Sequence, residues 1–200
     1  MIFARHGESE YSVAGLMNGD PSVPVALTAS GRRQAAALGA RLASRRLDLC
    51  VTSAFERARE TAEIALAARD VPRRVCKALN DIVVGAFEGK TLAEYRAWAH
   101  AHDPHAPAPG GGESRVESVG RYLRAFAAIA ALPDSTVLVI AHGLPIRYVL
   151  NAARGEGPVP VLEQVAYAEP YELSADELGG AIAELEAWRS DPAWASSASP

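Results

Sequence analysis

Two histidines stand where a short apolar run gives way to glycine: Ile2-Phe3-Ala4 leads into Arg5-His6-Gly7, and Val137-Leu138-Val139-Ile140 leads through Ala141 into His142-Gly143. A neutral imidazole can attack phosphorus and carry the phosphoryl group as a phosphohistidine. Arginine suits phosphoryl oxygens, because its planar fork donates two hydrogen bonds and keeps its charge at any relevant pH. Arg5 adjoins the first histidine, and Arg57 falls near the expected start of a helix. A helix N-terminus after His142-Gly143 would add backbone N–H donors and a favourable dipole. Glycine after each histidine lets the backbone approach a ligand closely. Transfer from a stable monoester needs a nucleophile, stabilised oxygens and a proton for the departing alcohol. One histidine after a strand is more often a packing residue, so the reading rests on the pair.

Other polar residues carry weaker signals. His100, His102, Asp103 and His105 crowd one segment, and zinc is a conceivable ligand for such a set. They lack nearby cysteines and the i, i+4 register of a helical zinc site, so no metal is expected. A polar rim over the pocket, where selectivity would lie, is the preferred role. Glu113 reads as a buttress of the active loops or a first-turn helix residue, and Arg147 as a site neighbour or a local ion-pair partner. Tyr95, Trp98 and Trp188 are expected in core or lid packing rather than as a base-stacking platform. Cys50 and Cys76 have apolar surroundings and read as two buried thiols.

The elements that would hold these residues alternate in type. Ile2 to Ala4 is a very short strand, followed by a polar loop through Gly19-Asp20-Pro21. Thr28 is the expected N-cap of a helix with Ala35, Leu38 and Leu42 on one face. Leu49-Cys50-Val51 reads as a buried strand, and Ser53 to Glu56 as a capping box before Ala58, Ala62 and Ala65. A strand over Val75 to Leu79 leads to a loop around Asp81, and a Pro/Ala/Gly-rich connection covers Pro104 to Gly112. Ser114/Glu117 and Ser174/Glu177 are two further capping boxes. Val137 to Ile140 is apolar at every position, as expected of a central strand covered on both faces. Pro145 fits the first turn of the helix after His142. The pattern predicts a three-layer α/β/α sandwich with a mainly parallel central sheet. Ligands of such sheets gather at the carboxyl edge, where both histidines would lie.

The chain of 200 residues is 49% hydrophobic and 22% charged, with a net charge of −4. One globular domain over 1–190 is expected, with 191–200 as a flexible tail. The negative balance gives no general attraction to nucleic acid or to an anionic membrane surface, so an anionic substrate needs a local cationic pocket. No long apolar run and no signal-peptide pattern are present, and a cytoplasmic protein with no membrane association is expected.

Arg5-His6-Gly7-Glu8-Ser9 resembles the signature of the histidine phosphatase superfamily, which includes the cofactor-dependent phosphoglycerate mutases. Further segments are similar in order: Leu27-Thr28 with Gly31 and Gln34-Ala35, Thr52-Ser53 through Arg57 to Ala62, Leu79 to Ile82 with Gly85 and Phe87-Glu88-Gly89, Gly111 to Ser114, and Ala141-His142-Gly143 with Ile146-Arg147. After about Pro158 the match fades. The resemblance implies a phosphoglycerate mutase-like fold, with His6 as nucleophile and Arg5, Arg57 and His142 around the phosphoryl group, helped by the Gly143 N–H. It implies Asp81 as proton donor and then as activator of water. Asn18 matches a loop position that often touches phosphoryl group or substrate.

The chain departs from the family pattern in three places. Ser12 stands where asparagine is common, which weakens one phosphate contact or leaves it to Asn18. Asp81 stands where most relatives have glutamate. The first strand is short, as an abbreviated edge would be, or a chain whose start was misassigned. Ser12, Asn18, Gly143 and Glu113 are the expected substrate-binding residues. The implied activity is metal-independent hydrolysis of a small phosphorylated metabolite, with no cofactor and an open oligomeric state. A mutase is the nearest rival, set back because Arg96 is the sole arginine between the proton-donor loop and Gly111 where such enzymes carry an arginine-rich insertion. A catalytically silent phosphate-binding protein would not require a nucleophile and an acid together.

Overall fold

The computed structural model describes residues 1–132 and 136–194. Its sheet has five strands: β1 (Ile2–Arg5), β2 (Leu49–Thr52), β3 (Arg73–Val75), β4 (Val137–Ala141) and β5 (Pro170–Glu172), in the spatial order β3-β2-β4-β1-β5. All neighbours pair in parallel except β5, which runs antiparallel to β1. The helices are α1 (Glu10–Ala14), α2 (Ala29–Arg41), α3 (Glu56–Ala65), α4 (Leu92–His100), α5 (Arg115–Ala130), α6 (Gly143–Ala152) and α7 (Ala175–Ser190). Among the described residues no helix is long and apolar enough to cross a membrane.

The unbroken apolar run of β4 follows from its position, because the strand is buried at every residue. Val137, Val139 and Ala141 join Phe3 and Val51 in a cluster with residues of α5, α6 and α7. Leu138 and Ile140 join Ile2, Ala4 and Cys50 on the opposite face, against α2 and α3. Alternating residues of one strand therefore face two different helix layers, which makes the sandwich three layers deep.

Several local expectations are corrected. The first strand is short but lies between β4 and β5, so it is no edge. The strand expected over Val75 to Leu79 ends at Val75, and Lys77–Leu79 is a 3-10 turn that buries Leu79. All three residues of β3 are exposed, so this edge strand carries no apolar periodicity to read. Cys50 is buried and its thiol is pushed up to about 12 by desolvation, whereas Cys76 is only half-buried. The polar loop after His6 contains α1, and α4 and β5 complete the set. Thr91 and Glu94 cap α4 reciprocally, a signal present in the sequence as Thr-x-x-Glu. The expected tail splits: α7 ends at Ser190, Trp194 stacks near Trp188, and 195–200 lie outside the described residues.

Candidate active site

Three strand ends meet at the carboxyl edge of the sheet. Arg5 pairs with Ala141 in the β1–β4 ladder, so the next residue of each strand, His6 and His142, emerges beside the other. The His6 N–H continues the ladder to the Ala141 carbonyl at 3.0 Å, and the Ser53 N–H, just past β2, reaches the Ile140 carbonyl at 3.2 Å. The two imidazole centroids are 5.3 Å apart. Gly7 is required by a close crossing: a Cβ there would lie 2.5 Å from the Gly31 carbonyl oxygen of α2.

Both nitrogens of each imidazole have a partner, and Arg57 is shared between the two rings. The His6 Nδ1 lies 2.7 Å from its neighbour Gly7's carbonyl, which can only accept, so Nδ1 carries the proton and Nε2 keeps its lone pair. Arg57 Nε donates to that Nε2 at 3.1 Å. The same guanidinium reaches His142 Nδ1 at 3.2 Å through Nη2 and the Asn18 side-chain oxygen through Nη1. His142 Nε2 is anchored on Ser53 Oγ at 2.8 Å. Burial, with Arg57 next in size, holds both histidines well below the usual 6.5, so both are neutral at pH 7. Burial also pulls Arg57 down to about 10, which leaves it charged.

Ser53 therefore does not cap α3. The helix begins after Phe55 with no side-chain cap. The hydroxyl is committed to His142, so the expected capping box is absent.

Arg5 lies flat on the Tyr167 ring, 4.0 Å from its centroid. Its Nη1 donates to the Val165 carbonyl at 3.0 Å and its Nη2 to the Tyr167 hydroxyl at 3.3 Å, while Nε is buried without a partner. Ala168, the next residue, takes a left-handed φ of 50° while its N–H bonds the Arg5 carbonyl, and this turn sets Tyr167 beneath the guanidinium. Asp81 faces the same space, with Oδ2 3.6 Å from His142 Nδ1 and 3.8 Å from Arg57 Nη2. Burial raises its carboxyl above the ordinary value, and Arg57 is the main opposing influence.

Arg5, His6, Asn18, Arg57, Asp81 and Tyr167 line the inner end of a cavity of about 170 Å³, with fully buried His142 in contact with Arg57 and Asp81 behind them. Its outer walls are Leu16, Met17, Leu92, Tyr95, Arg96, Pro160, Leu162, Glu163, Gln164, Val165 and Tyr167. Four arginines (5, 57, 96 and 115) line it against two acids, Asp81 and Glu163. This is the local cationic pocket that an acidic chain needs for an anion.

The expected substrate-binding residues divide. Asn18 and Gly143 line the cavity, although the Asn18 amide is occupied by Arg57, Glu88 and the Asp20 carbonyl. Ser12 also lines it, but its hydroxyl is spent capping α1 with the Ser9 backbone. Glu113 lies outside the cavity: it pairs with Arg121 at 2.6 Å and accepts from the Val83 N–H. Arg121 in turn donates to the carbonyls of Ala78, Asn80 and Asp81. Glu113 thus braces the Asp81 loop instead of meeting substrate.

His100, His102 and His105 are exposed and do not line the cavity, so the expected polar rim is not theirs. His102 stacks on Trp98 at the end of α4. Among the described residues no group of three or more His, Cys, Asp or Glu side chains is arranged to share an ion.

Two features escaped sequence reasoning. Glu88 accepts from the Asn18 amide and from the N–H groups of Gly19 and Asp20, fixing the first loop. The wall from Pro160 to Tyr167 has no regular structure and no periodic pattern to announce it.

Residues 1–187 match the family model for the histidine phosphatase superfamily, branch 1. The chain is similar to a 2,3-bisphosphoglycerate-dependent phosphoglycerate mutase of Methylobacterium sp., 34% identical over 78% of this chain and 80% of that protein. It is similar to an adenosylcobalamin/alpha-ribazole phosphatase of Salmonella typhimurium, 33% identical over 69% of this chain and 71% of that protein. Among solved structures, a mycobacterial glucosyl-3-phosphoglycerate phosphatase in complex with VO3 superposes with a TM-score of 0.70 at 30% identity, covering 85% of this chain and 90% of that one.

Proposed function

The chain belongs to the histidine phosphatase superfamily, and from that premise we propose that it hydrolyses small phosphomonoesters through a phosphohistidine on His6, without a metal ion. The observation that carries the reading is the His6 ring: Nδ1 is tied to the Gly7 carbonyl, which leaves Nε2 unprotonated at the cavity, where Arg57 Nε donates to it until a phosphoryl group takes that donor. Attack of Nε2 on phosphorus breaks the P–O bond to the leaving group and forms a P–N bond. Arg5, Arg57 and the Gly143 N–H stabilise the oxygens, and the buried Arg5 Nε gains the acceptor it lacks. His142 joins them as a donor once the incoming dianion raises its proton affinity.

Asp81, protonated, gives its proton to the leaving oxygen. As carboxylate it then takes a proton from water, whose oxygen attacks phosphorus, breaks the P–N bond and releases phosphate. Its raised carboxyl suits the first duty.

The mutase relative supports a second reading, in which the same phosphohistidine returns its phosphoryl group to a phosphoglycerate. One experiment separates the outcomes. An aryl phosphate is incubated with the protein in excess chelator, beside His6→Ala, and the protein, quenched in alkaline detergent, is tested for acid-labile, alkali-stable phosphate. Turnover and labelling should survive chelation and vanish with His6→Ala. Turnover that persists in His6→Ala would displace the nucleophile, a requirement for divalent metal would remove the metal-free route, and bisphosphate-primed interconversion of monophosphoglycerates would favour the mutase.

A further inference from the structure

Among the described residues four buried polar side-chain atoms have no hydrogen-bond partner, and three of them line the cavity: Arg5 Nε, Arg115 Nε and Tyr95 Oη. Arg5 Nε belongs to the phosphoryl end. The other two sit together, with the Arg115 guanidinium 5.4 Å from the Tyr95 ring centroid. Arg115 is 7% exposed and Tyr95 is 3% exposed. Arg115 spends Nη1 on the Tyr148 hydroxyl at 3.4 Å and Nη2 on the Pro160 carbonyl at 3.2 Å. No carboxylate among the described residues pairs with it; the ion pairs of the chain lie elsewhere.

A buried guanidinium without a counter-charge is strongly disfavoured unless an anion reaches it. Both unsatisfied groups are donors, and one acceptor group of a ligand would serve both. Arg96, half-buried on the same wall, adds positive charge. Glu163 is the one carboxylate on that side; it is turned outward, 87% exposed, towards Arg147. The cavity surface also carries Leu16, Met17, Ile82, Leu92, Leu144 and Leu162.

We infer that the outer cavity is a second anion-binding subsite, formed by Arg115 and Tyr95, and that the substrate is a phosphomonoester with a largely apolar body and a carboxylate at its far end. The inference rests on the inner end being the phosphoryl site. It uses a basic residue at the head of α5, which counting residues between the Asp81 loop and Gly111 overlooks.

The test measures affinity, independent of turnover. Alkylphosphonates of increasing chain length are titrated against the protein, each beside its ω-carboxylated partner. At one chain length the carboxylated ligand should bind about tenfold tighter or more, as a charge-assisted contact to a desolvated arginine allows. Tyr95→Phe should reduce that ratio several-fold, and Arg115→Met should abolish it. Should Arg115→Met not fold, Tyr95→Phe and the wild-type series decide.

Equal affinity of each pair at every length would overturn the subsite, as would a preference that both variants leave intact. Absence of binding by plain alkylphosphonates and by inorganic phosphate would instead bring down the phosphoryl reading, and the subsite with it. The matching alkyl phosphates, assayed with Tyr95→Phe, should show the carboxylate preference in KM and little change in kcat.

Discussion

The two ends of the cavity are built by different means. At the inner end, the β-ladder itself sets His6 beside His142, and each ring is tied to a neighbour within 3.2 Å. The outer wall from Pro160 to Tyr167 has no strand or helix of its own, only a single bridge from Tyr167 to Arg5. Its carbonyls are instead sewn down by arginines from four elements. Arg5 of β1 takes Val165, Arg96 of α4 takes Leu162, Arg115 of α5 takes Pro160, and Arg147 of α6 takes Glu163 and Gln164. Strand register gives the chemical groups positions that barely depend on side-chain freedom. The outer wall depends on long side chains, and it can change shape between relatives without disturbing the phosphoryl end.

That contrast can be broken most sharply at Arg57, which touches both imidazoles and Asn18. Arg57→Ala should lower kcat about a thousandfold or more, because it removes donors to the transferring group. A drop confined to KM would mean that the inner end is no more pre-set than the outer.

Asp81→Asn comes next, with about a hundredfold or greater loss on alkyl phosphates and little loss on aryl phosphates with good leaving groups. The folded state raises this carboxyl, so the group's stabilising contribution is present below the unfolded value of 3.8 and is lost as pH rises through the folded one. Asp81→Asn should accordingly unfold at a higher temperature than the parent at pH 7 in calorimetry.

Ser53→Ala strips His142 Nε2 of its anchor and should cost about 1–3 kcal/mol of unfolding free energy in urea titrations, together with a fall in kcat. The two neutral histidines make a broader expectation. Their folded values lie well below 6.5, so stability is complete above 6.5 and is lost as pH falls beneath it. The urea midpoint should drop between pH 7 and pH 5, and less steeply in His142→Gln.

The smallest effect belongs to the outer wall. Arg147→Ala should raise KM a few-fold with kcat almost unchanged and cost about 1 kcal/mol or less, since other arginines still hold the segment. A large fall in kcat there would show that the two ends are mechanically coupled.

Much of the site was legible in the chain. The apolar runs before His6 and His142 mark buried strand ends, and three Ser/Thr boxes, one of them overlooked, mark helix starts. Local chemistry alone determines such features. Ser53 misled because a serine three residues before an acid satisfies the capping pattern, whereas the fold offers its hydroxyl a better partner 89 residues away. Glu113 fits the buttress reading and not the substrate-binding one, because proximity to a family motif does not say which way a carboxylate faces.

The amino-acid order by itself determined the sandwich and the two histidines at its strand ends, because periodicity, capping and strand endings are short-range properties. Only the tertiary structure decided what each polar group is left to do. It tied His6 Nδ1 to Gly7, bound Ser12 to its own helix, turned Glu113 away, and left Arg115 and Tyr95 without partners at the cavity wall. Partner choice is settled by burial and by groups distant in the chain, so it becomes visible only once the layers have closed.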